Sequence, residues 1–332
     1  MSVDLPSIAP DAAMLPEPIA ISTDFSTADR IYRRGVWAVA MGVMVLLFLI
    51  GFFLFKSGFP AFKVAGFHFF TRSGFPNIGK HPGPFGVLAS LVGTLEVAGV
   101  AMLVGTPVAI CTALFISEYA PLWARRPLIS VIDLAAAIPS IIFGLWAVFE
   151  LENNVVGFST WLSKHFAFIP FFKVNSPPLN ASLFIAGLVV GLMIVPIIAS
   201  ISREVFSLAP PGEREAALAL GASRWQMIRT VVLPFGRGGM IGAVMLGLGR
   251  ALEETIAVAI ILSIAFKVSP NILQHGGSTI SQVIAVKFGS GGTIGLQDLL
   301  LCGFVLFIIT LVVNLIASAI VNRSRSGAGV DL

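Results

Sequence analysis

The chain has 332 residues, 56% of them hydrophobic and 11% charged, with a net charge of +4. A soluble domain carries about 25% charged residues, and a mean hydropathy of +0.94 excludes that class in favour of a polytopic membrane protein. Cys111 and Cys302 both lie in apolar runs, and His68, His81, His165 and His275 are scattered without ligand spacing. Neither a disulfide framework nor a metal site follows from these residues.

Residues 1–29 carry Asp4, Asp11, Glu17, Asp24 and Asp29 among Pro6, Pro10, Pro16 and Pro18. The stretch lacks a basic start followed by an apolar run, so it reads as a disordered cytoplasmic tail and not as a signal peptide. Six apolar spans follow, at about 36–55, 87–116, 128–149, 181–201, 240–266 and 299–321, each long enough to cross a bilayer as a helix. The fold class is therefore all-α and polytopic. Pro107 predicts a kink in the second span, Pro139 lies inside the third, and Pro196 lies near the end of the fourth.

Basic residues set the orientation. With the N-terminus inside, the inner side holds only arginines close to the spans, among them Arg30, Arg33, Arg34, Arg125, Arg126, Arg203, Arg323 and Arg325. The positive-inside rule then puts both termini in the cytoplasm. Residues 56–86, 150–180 and 267–298 become outer loops, rich in Gly, Pro and Phe.

The fifth span contains Arg250, Glu253, Glu254 and Thr255 near its middle. A charge at mid-membrane costs roughly 2.5–3.5 kcal/mol on the lenient insertion scales, so such residues mark ion pairs or polar pathways. Arg250 to Glu253 is i,i+3 and Arg250 to Glu254 is i,i+4, so both carboxylates can reach the guanidinium on one helix face. Two readings stand here: a cation poised for an anionic substrate, or a buried pair that locks helix packing. Gly247 and Gly249 would let another helix approach, or make room for the anion.

The segment 203–237 carries helix punctuation. Pro211 and Gly212 precede a helix start, with Glu213 and Glu215 at its positive end. Gly221 interrupts this helix, Ser223 caps a second one over 224–232, and Pro234 stops it. Projecting Trp225, Met227 and Ile228 suit insertion into a partner's groove, or the segment is an amphipathic connector lying on the lipid surface.

Glu215, Ala216 and Ala217, then Gly221, then Val231, Leu233 and Pro234 resemble the EAA loop of the membrane subunits of ATP-binding-cassette importers. Within that class the chain is similar to permeases of the phosphate-specific transport system. The resemblance covers about 85–322 and also rests on 113–121 (ALFISEYAP), on 134–146 (LAAAIPSIIFGLW) and on the pattern Arg-Ala-x-x-Glu-Thr at Arg250, Ala251, Glu254 and Thr255. Glu253 stands where the family usually has glycine.

The resemblance implies a MetI-like permease domain over 30–326, with six transmembrane helices and a coupling helix that docks on an ATPase. It implies a substrate pathway at Arg250, Glu253, Glu254 and Thr255, and a coupling loop at Glu215, Ala216, Ala217, Gly221, Leu233 and Pro234. The implied partners are a second permease subunit (PstA-like), a pair of ATP-binding-cassette ATPases (PstB-like), an extracytoplasmic phosphate-binding protein (PstS-like), inorganic phosphate and the lipid bilayer, with no nucleic acid. No cofactor is expected on this chain, ATP and Mg being used by the partner ATPase.

The residues agree with part of this. The sequence lacks a GxxxxGK[ST] phosphate loop, so a pump would draw its energy from another subunit. The residues alone leave open a permease for sulfate or molybdate, an ion-coupled carrier, and an intramembrane enzyme using Glu253 and Glu254 as acid and base.

Overall fold

The computed structural model describes residues 26–76, 83–174 and 179–325, without the side chains of 322–325. Most of the tail expected at 1–29 lies outside the described residues, and helix begins at Thr27. Two units are distinguished, Met1–Ile50 and Gly51–Leu332. The described part of the first belongs to helix α1 (Thr27–Ala65). It is exposed along its length, Trp37, Leu46 and Phe48 included, as an apolar helix in contact with lipid would be.

In the second unit, α1 runs on through Pro60 to Ala65, followed by a 3-10 turn at Gly66–Phe70. The outer loop expected from residue 56 therefore starts later. Packing explains the difference: Gly58 lies so close to a later helix that a Cβ there would stand 2.7 Å from the Leu301 amide nitrogen. Tertiary contact overrides the loop preference of Gly and Pro. Strands β1 (Ser73–Gly74) and β2 (Gly86–Val87) pair antiparallel, Ser73 opposite Val87, and lead into α2 (Leu88–Leu114). That helix continues through Pro107 and ends in a π turn, Phe115–Tyr119.

The third apolar run is not one helix. Helix α3 (Leu122–Ala137) stops at Ile138, which is extended at φ −66°, ψ 127°, and α4 (Ser140–Trp146) starts after Pro139. A residue before proline is pushed out of the helical region, and this break follows. From α4 the helix continues through a π turn at Ala147–Leu151 into α5 (Glu152–His165). The helix long enough to cross a membrane is thus Ser140–His165, in place of the expected 128–149, and much of the loop expected at 150–180 is helical.

Helix α6 (Leu183–Ser207) is the most buried of the spans. Its Gly187 and Gly191 form a GxxxG stripe against α2. A Cβ on Gly187 would meet Val100 at 2.6 Å, and one on Gly105 of α2 would meet the Gly191 carbonyl at 2.7 Å. Small residues permit this backbone approach, which drives helix association in lipid. Val97, Ala101, Val189, Ile194 and Ile198 fill the same core.

A short helix, α7 (Pro211–Ala219), and a single turn, α8 (Arg224–Met227), follow. The helix does not stop at Pro234. Through a π turn at Ile228–Val232, where the Leu233 N–H bonds five residues back to Ile228, α8 joins α9 (Leu233–Glu253). Pro234 sits in the first turn of α9; the wider π turn accommodates a residue without an amide proton. Arg224–Glu253 is one helical run of 30 residues. Since α6 covers 203–207 and this run covers 224–237, the non-spanning part of the expected loop shrinks to 208–223.

The fifth apolar run breaks as well. After α9 come α10 (Ile256–Ile261), an irregular stretch, and α11 (Ile280–Lys287), whose Thr279 and Gln282 form a capping box. The expected outer loop 267–298 is in part a buried plug, with Leu273, Ile280 and Gln282 all fully enclosed. Helix α12 (Gly292–Arg325) is the last described element. Among the described residues six helical runs are long and apolar enough to cross a membrane.

Candidate functional site

The break between α9 and α10 falls on the charged stretch. Glu254 is extended, at φ −63°, ψ 127°, so Arg250 occupies the last turn of α9 and not the middle of a continuous span. A cation there faces the negative end of the helix dipole. The Arg250 Nη2 stands 3.0 Å from Glu254 Oε2, and the two side chains are 43% and 2% exposed. Glu254 is therefore the buried member of the pair, while much of the guanidinium remains accessible.

A broken helix in a membrane must satisfy the backbone groups it frees, and local side chains do this. The Ala257 N–H at the start of α10 donates to Glu254 Oε1 (3.1 Å). The Thr255 hydroxyl donates to the Glu253 carbonyl (3.0 Å), and the Ser281 hydroxyl of α11 donates to the Glu254 carbonyl (2.7 Å). At the far end of α10 the Leu262 carbonyl accepts from Gln282 Nε2 (2.8 Å). Glu254 thus pairs with Arg250 through one oxygen and caps α10 through the other.

Of the four residues expected at this site, the structure brings Arg250, Glu254 and Thr255 into the break. Glu253 is exposed and makes no ion pair with Arg250; its backbone carbonyl alone takes part. Glu254, extended beyond the end of α9, is the one of the two carboxylates that pairs with Arg250. Gly247 serves close packing, since a Cβ on it would meet Ile198 of α6 at 2.5 Å, whereas Gly249 has only Asn314 Oδ1 of α12 at 4.0 Å. The other interrupted run adjoins: α4 packs on α10, and a Cβ on Gly144 would lie 3.0 Å from the Ala257 Cα.

The plug is anchored by hydroxyls that the sequence reading did not single out. Thr94 Oγ1 of α2 accepts from the Ile280 N–H (3.0 Å), and Ser90 and Ser278 share a hydrogen bond of 3.1 Å. The Thr279…Gln282 capping pattern was the available signal for α11. Ser281 had none, because its partner is a backbone carbonyl 27 positions away.

The segment expected to couple to an ATPase is built at the opposite end of α9. Helix α7 closes with a Schellman motif: Gly221 at φ +85°, its N–H on the Leu218 carbonyl, and the Ala222 N–H on the Ala217 carbonyl. Glu215 and Ala216 are exposed, Ala217 packs inward, and Leu220 is 90% exposed. Ser223 and Gln226 then form a capping box that starts α8. Met227 and Ile228 do not project: both are buried with Ala113, Phe206 and Val232, and Leu233 packs on that cluster. Trp225 remains exposed. The second helix is the foot of a membrane span, so one of its faces is taken up by that span's neighbours.

Two links fasten this segment to α2. Arg214 Nη1 of α7 lies 3.1 Å from Oε1 of Glu118, which is nearly fully buried in the π turn, and Arg214 Nη2 donates to the Phe206 carbonyl. The Arg224 guanidinium stands 5.5 Å from the centre of the Tyr119 ring. Arg214 and Glu118 are 96 positions apart, a pairing that composition and periodicity do not reveal.

Residues 105–326 match the family described as binding-protein-dependent transport system inner membrane component. A relative from Mycobacterium tuberculosis, named phosphate transport system permease protein PstC 2, is 36% identical over 94% of this chain and 98% of its own length. One from Xylella fastidiosa, named phosphate transport system permease protein PstC, is 36% identical over 89% of this chain and 91% of its own. Among solved structures, a bacterial ABC transporter involved in the import of the acidic polysaccharide alginate superposes at a TM-score of 0.55, covering 89% of this chain and 99% of that chain at 19% identity. The fold expectation holds: this is a helical, multi-pass membrane protein of the MetI-like permease class. The family match and the near full-length relatives give its place: the chain belongs to the binding-protein-dependent transport system inner membrane components.

Proposed function

We propose that this chain is a membrane permease subunit of an ATP-driven importer of inorganic phosphate. The class of protein rests on the family match, and phosphate rests on relatives that bear that substrate in their names. The observation that carries the site is the asymmetry of the Arg250–Glu254 pair. The carboxylate is buried and doubly engaged, while the guanidinium is 43% exposed at a helix end. Arg presents a planar fork to an oxyanion and keeps its charge at any working pH. Glu254 holds that fork between transits and weakens its grip on the anion, so that release follows capture.

Both termini and the 208–223 segment face the cytoplasm in this reading, as the arginine distribution favours. Glu215, Ala216, Ala217, Gly221, Leu233 and Pro234 form the coupling element: the first two offer an exposed face, Gly221 ends the helix, and the last two join it to the span. The partners are an ATP-binding-cassette ATPase that uses ATP and Mg, a second permease subunit and an extracytoplasmic phosphate-binding protein. Energy from the ATPase enters at α7 and reaches the break through α9.

Uptake of labelled phosphate by the assembled complex in sealed vesicles tests this. Uptake should require ATP, should be lost in Arg250→Gln, and should resist a hundredfold excess of sulfate. Equal uptake without ATP would point to an ion-coupled carrier, and full competition by sulfate would point to a general oxyanion permease.

A further inference from the structure

Beside the Arg214–Glu118 pair lies a cavity of about 140 Å³, whose lining includes Arg125, Arg203 and Arg214 with the hydroxyls of Ser117 and Ser207. At about 30 Å³ per water it has room for four or five waters, enough for one tetrahedral oxyanion. Among the described residues no carboxylate lines it. Glu118 reaches Arg214 from outside the lining at 3.1 Å, and the exposed Glu204 stands 3.6 Å from Arg203. Among the described residues Arg125 has no carboxylate partner; its Nη2 donates to the Ser117 carbonyl at 2.9 Å.

The guanidiniums are left short of acceptors. The Nε atoms of Arg125 and of Arg214 are both buried and have no hydrogen-bond partner. Native structures rarely leave a buried charged donor in that state without a reason. Three guanidiniums against two carboxylates form a receptor for a multiply charged anion; the Ser117 and Ser207 hydroxyls in the lining donate to the Leu114 and Glu204 carbonyls (3.4 and 2.7 Å).

We propose that this cavity binds a phosphate-class oxyanion, supplied by an anionic lipid headgroup or by free phosphate. The bound anion ties α3, through Arg125, to the end of α6, through Arg203, and to α7, through Arg214. It thereby braces the coupling segment against the membrane helices. The site is separate from Arg250, which lies at the other end of the helical run Arg224–Glu253.

The test uses the full-length chain purified in an uncharged detergent and measures its melting temperature. One arm adds inorganic phosphate, with chloride at matched ionic strength as control. The other compares phosphatidylcholine vesicles with vesicles containing phosphatidylglycerol. Arg125→Gln should raise the half-saturating anion concentration about tenfold, and Arg203→Gln should act in the same direction should Arg125→Gln fail to fold. Arg250→Gln should leave this stabilisation intact, which distinguishes it from binding in the substrate pathway. Stabilisation by phosphate in detergent identifies a free anion; stabilisation only in phosphatidylglycerol identifies a lipid headgroup. The same shift with chloride, the same shift in the foldable Arg125 or Arg203 variant as in the parent, or no shift in either arm would overturn the proposal.

Discussion

Removing Arg250 and removing Glu254 are not equivalent perturbations. Arg250→Gln leaves a carboxylate that is 2% exposed without a counter-charge, and stranding a buried charge in this way costs about 3–5 kcal/mol. Glu254→Gln leaves a guanidinium that is 43% exposed and solvated. The amide oxygen of Gln can still accept from the Ala257 N–H, whose bond to Glu254 Oε1 is 3.1 Å. That change should cost about 1 kcal/mol, the range of a partly exposed pair. The double variant Arg250→Gln/Glu254→Gln should be more stable than Arg250→Gln alone, because the stranded charge has gone. Melting temperature of the purified chain measures the three stabilities, and labelled phosphate uptake at matched membrane levels measures function. The expected pattern is recovery of stability without recovery of uptake. Arg250→Lys should retain partial uptake, since Lys supplies charge without the fork. Robust phosphate uptake by the double variant would eliminate Arg250 as the substrate's contact and leave the pair as a packing device. Equal destabilisation by the two single changes would refute the asymmetry itself.

Ser281→Ala deprives the buried Glu254 carbonyl of its hydroxyl donor and should cost about 1–3 kcal/mol, read as a lower melting temperature together with reduced uptake. Gly191→Leu forces a side chain into the α2 interface, where even a Cβ would come within 3.2 Å of the Ala101 carbonyl; overpacking of about 1–3 kcal/mol or more should appear as loss of folded chain from the membrane. Gly221→Ala places a Cβ at φ +85°, costing about 1–2 kcal/mol locally. It should reduce ATPase co-purification with the membrane helices unchanged by circular dichroism; normal co-purification and transport would separate this turn from coupling. Cysteines at Leu208 and Ser290, both exposed, should label from opposite sides of the membrane. The buried Ser278 is unsuited to that experiment, and labelling of both from one side would end the six-span topology.

The apolar runs made the number of spans legible, and one of their limits was written in local chemistry. Pro139 forces Ile138 out of the helix, so the break before α4 follows from the residue order alone. The break at Glu254 has no such mark. Arg250 through Thr255 reads as good helix, and the turn exists because the Ala257 N–H, the Ser281 hydroxyl and the Thr255 hydroxyl satisfy what it exposes. One of those groups comes from a segment that composition assigned to an outer loop. The same gap in local information hid the Arg214–Glu118 pair, and it made Met227 and Ile228 look free when α2 and α6 residues cover them. The charged residues announced a site; which carboxylate belongs to it depended on where the helix ends.

That end point matters for coupling. The run from Arg224 to Glu253 has 30 residues, about 45 Å at the helical rise, and α10 starts as a separate rod beyond it. Its foot carries Arg224 beside Tyr119 and follows directly from the Gly221 turn that closes α7. Its far end carries Arg250 in the last turn. Between them Gly247 bears closely on Ile198 of α6 and Gly239 on Val205, so the rod is seated on α6 at two places. Glu254, beyond the end of that rod, is held to α10 and α11 by Ala257 and Ser281. The pair therefore spans the joint between α9 and the α10–α11 segment, and under the proposed coupling a displacement of α7 carried by α9 would change how tightly Glu254 holds the guanidinium across its 3.0 Å contact. In the proposed mechanism the carboxylate is then the competitor that times anion release. Glu254→Gln should consequently retain phosphate binding in the Arg250 pathway while slowing ATP-driven turnover, whereas Arg250→Gln should lose both, with anion binding at the Arg125–Arg214 cavity unaffected.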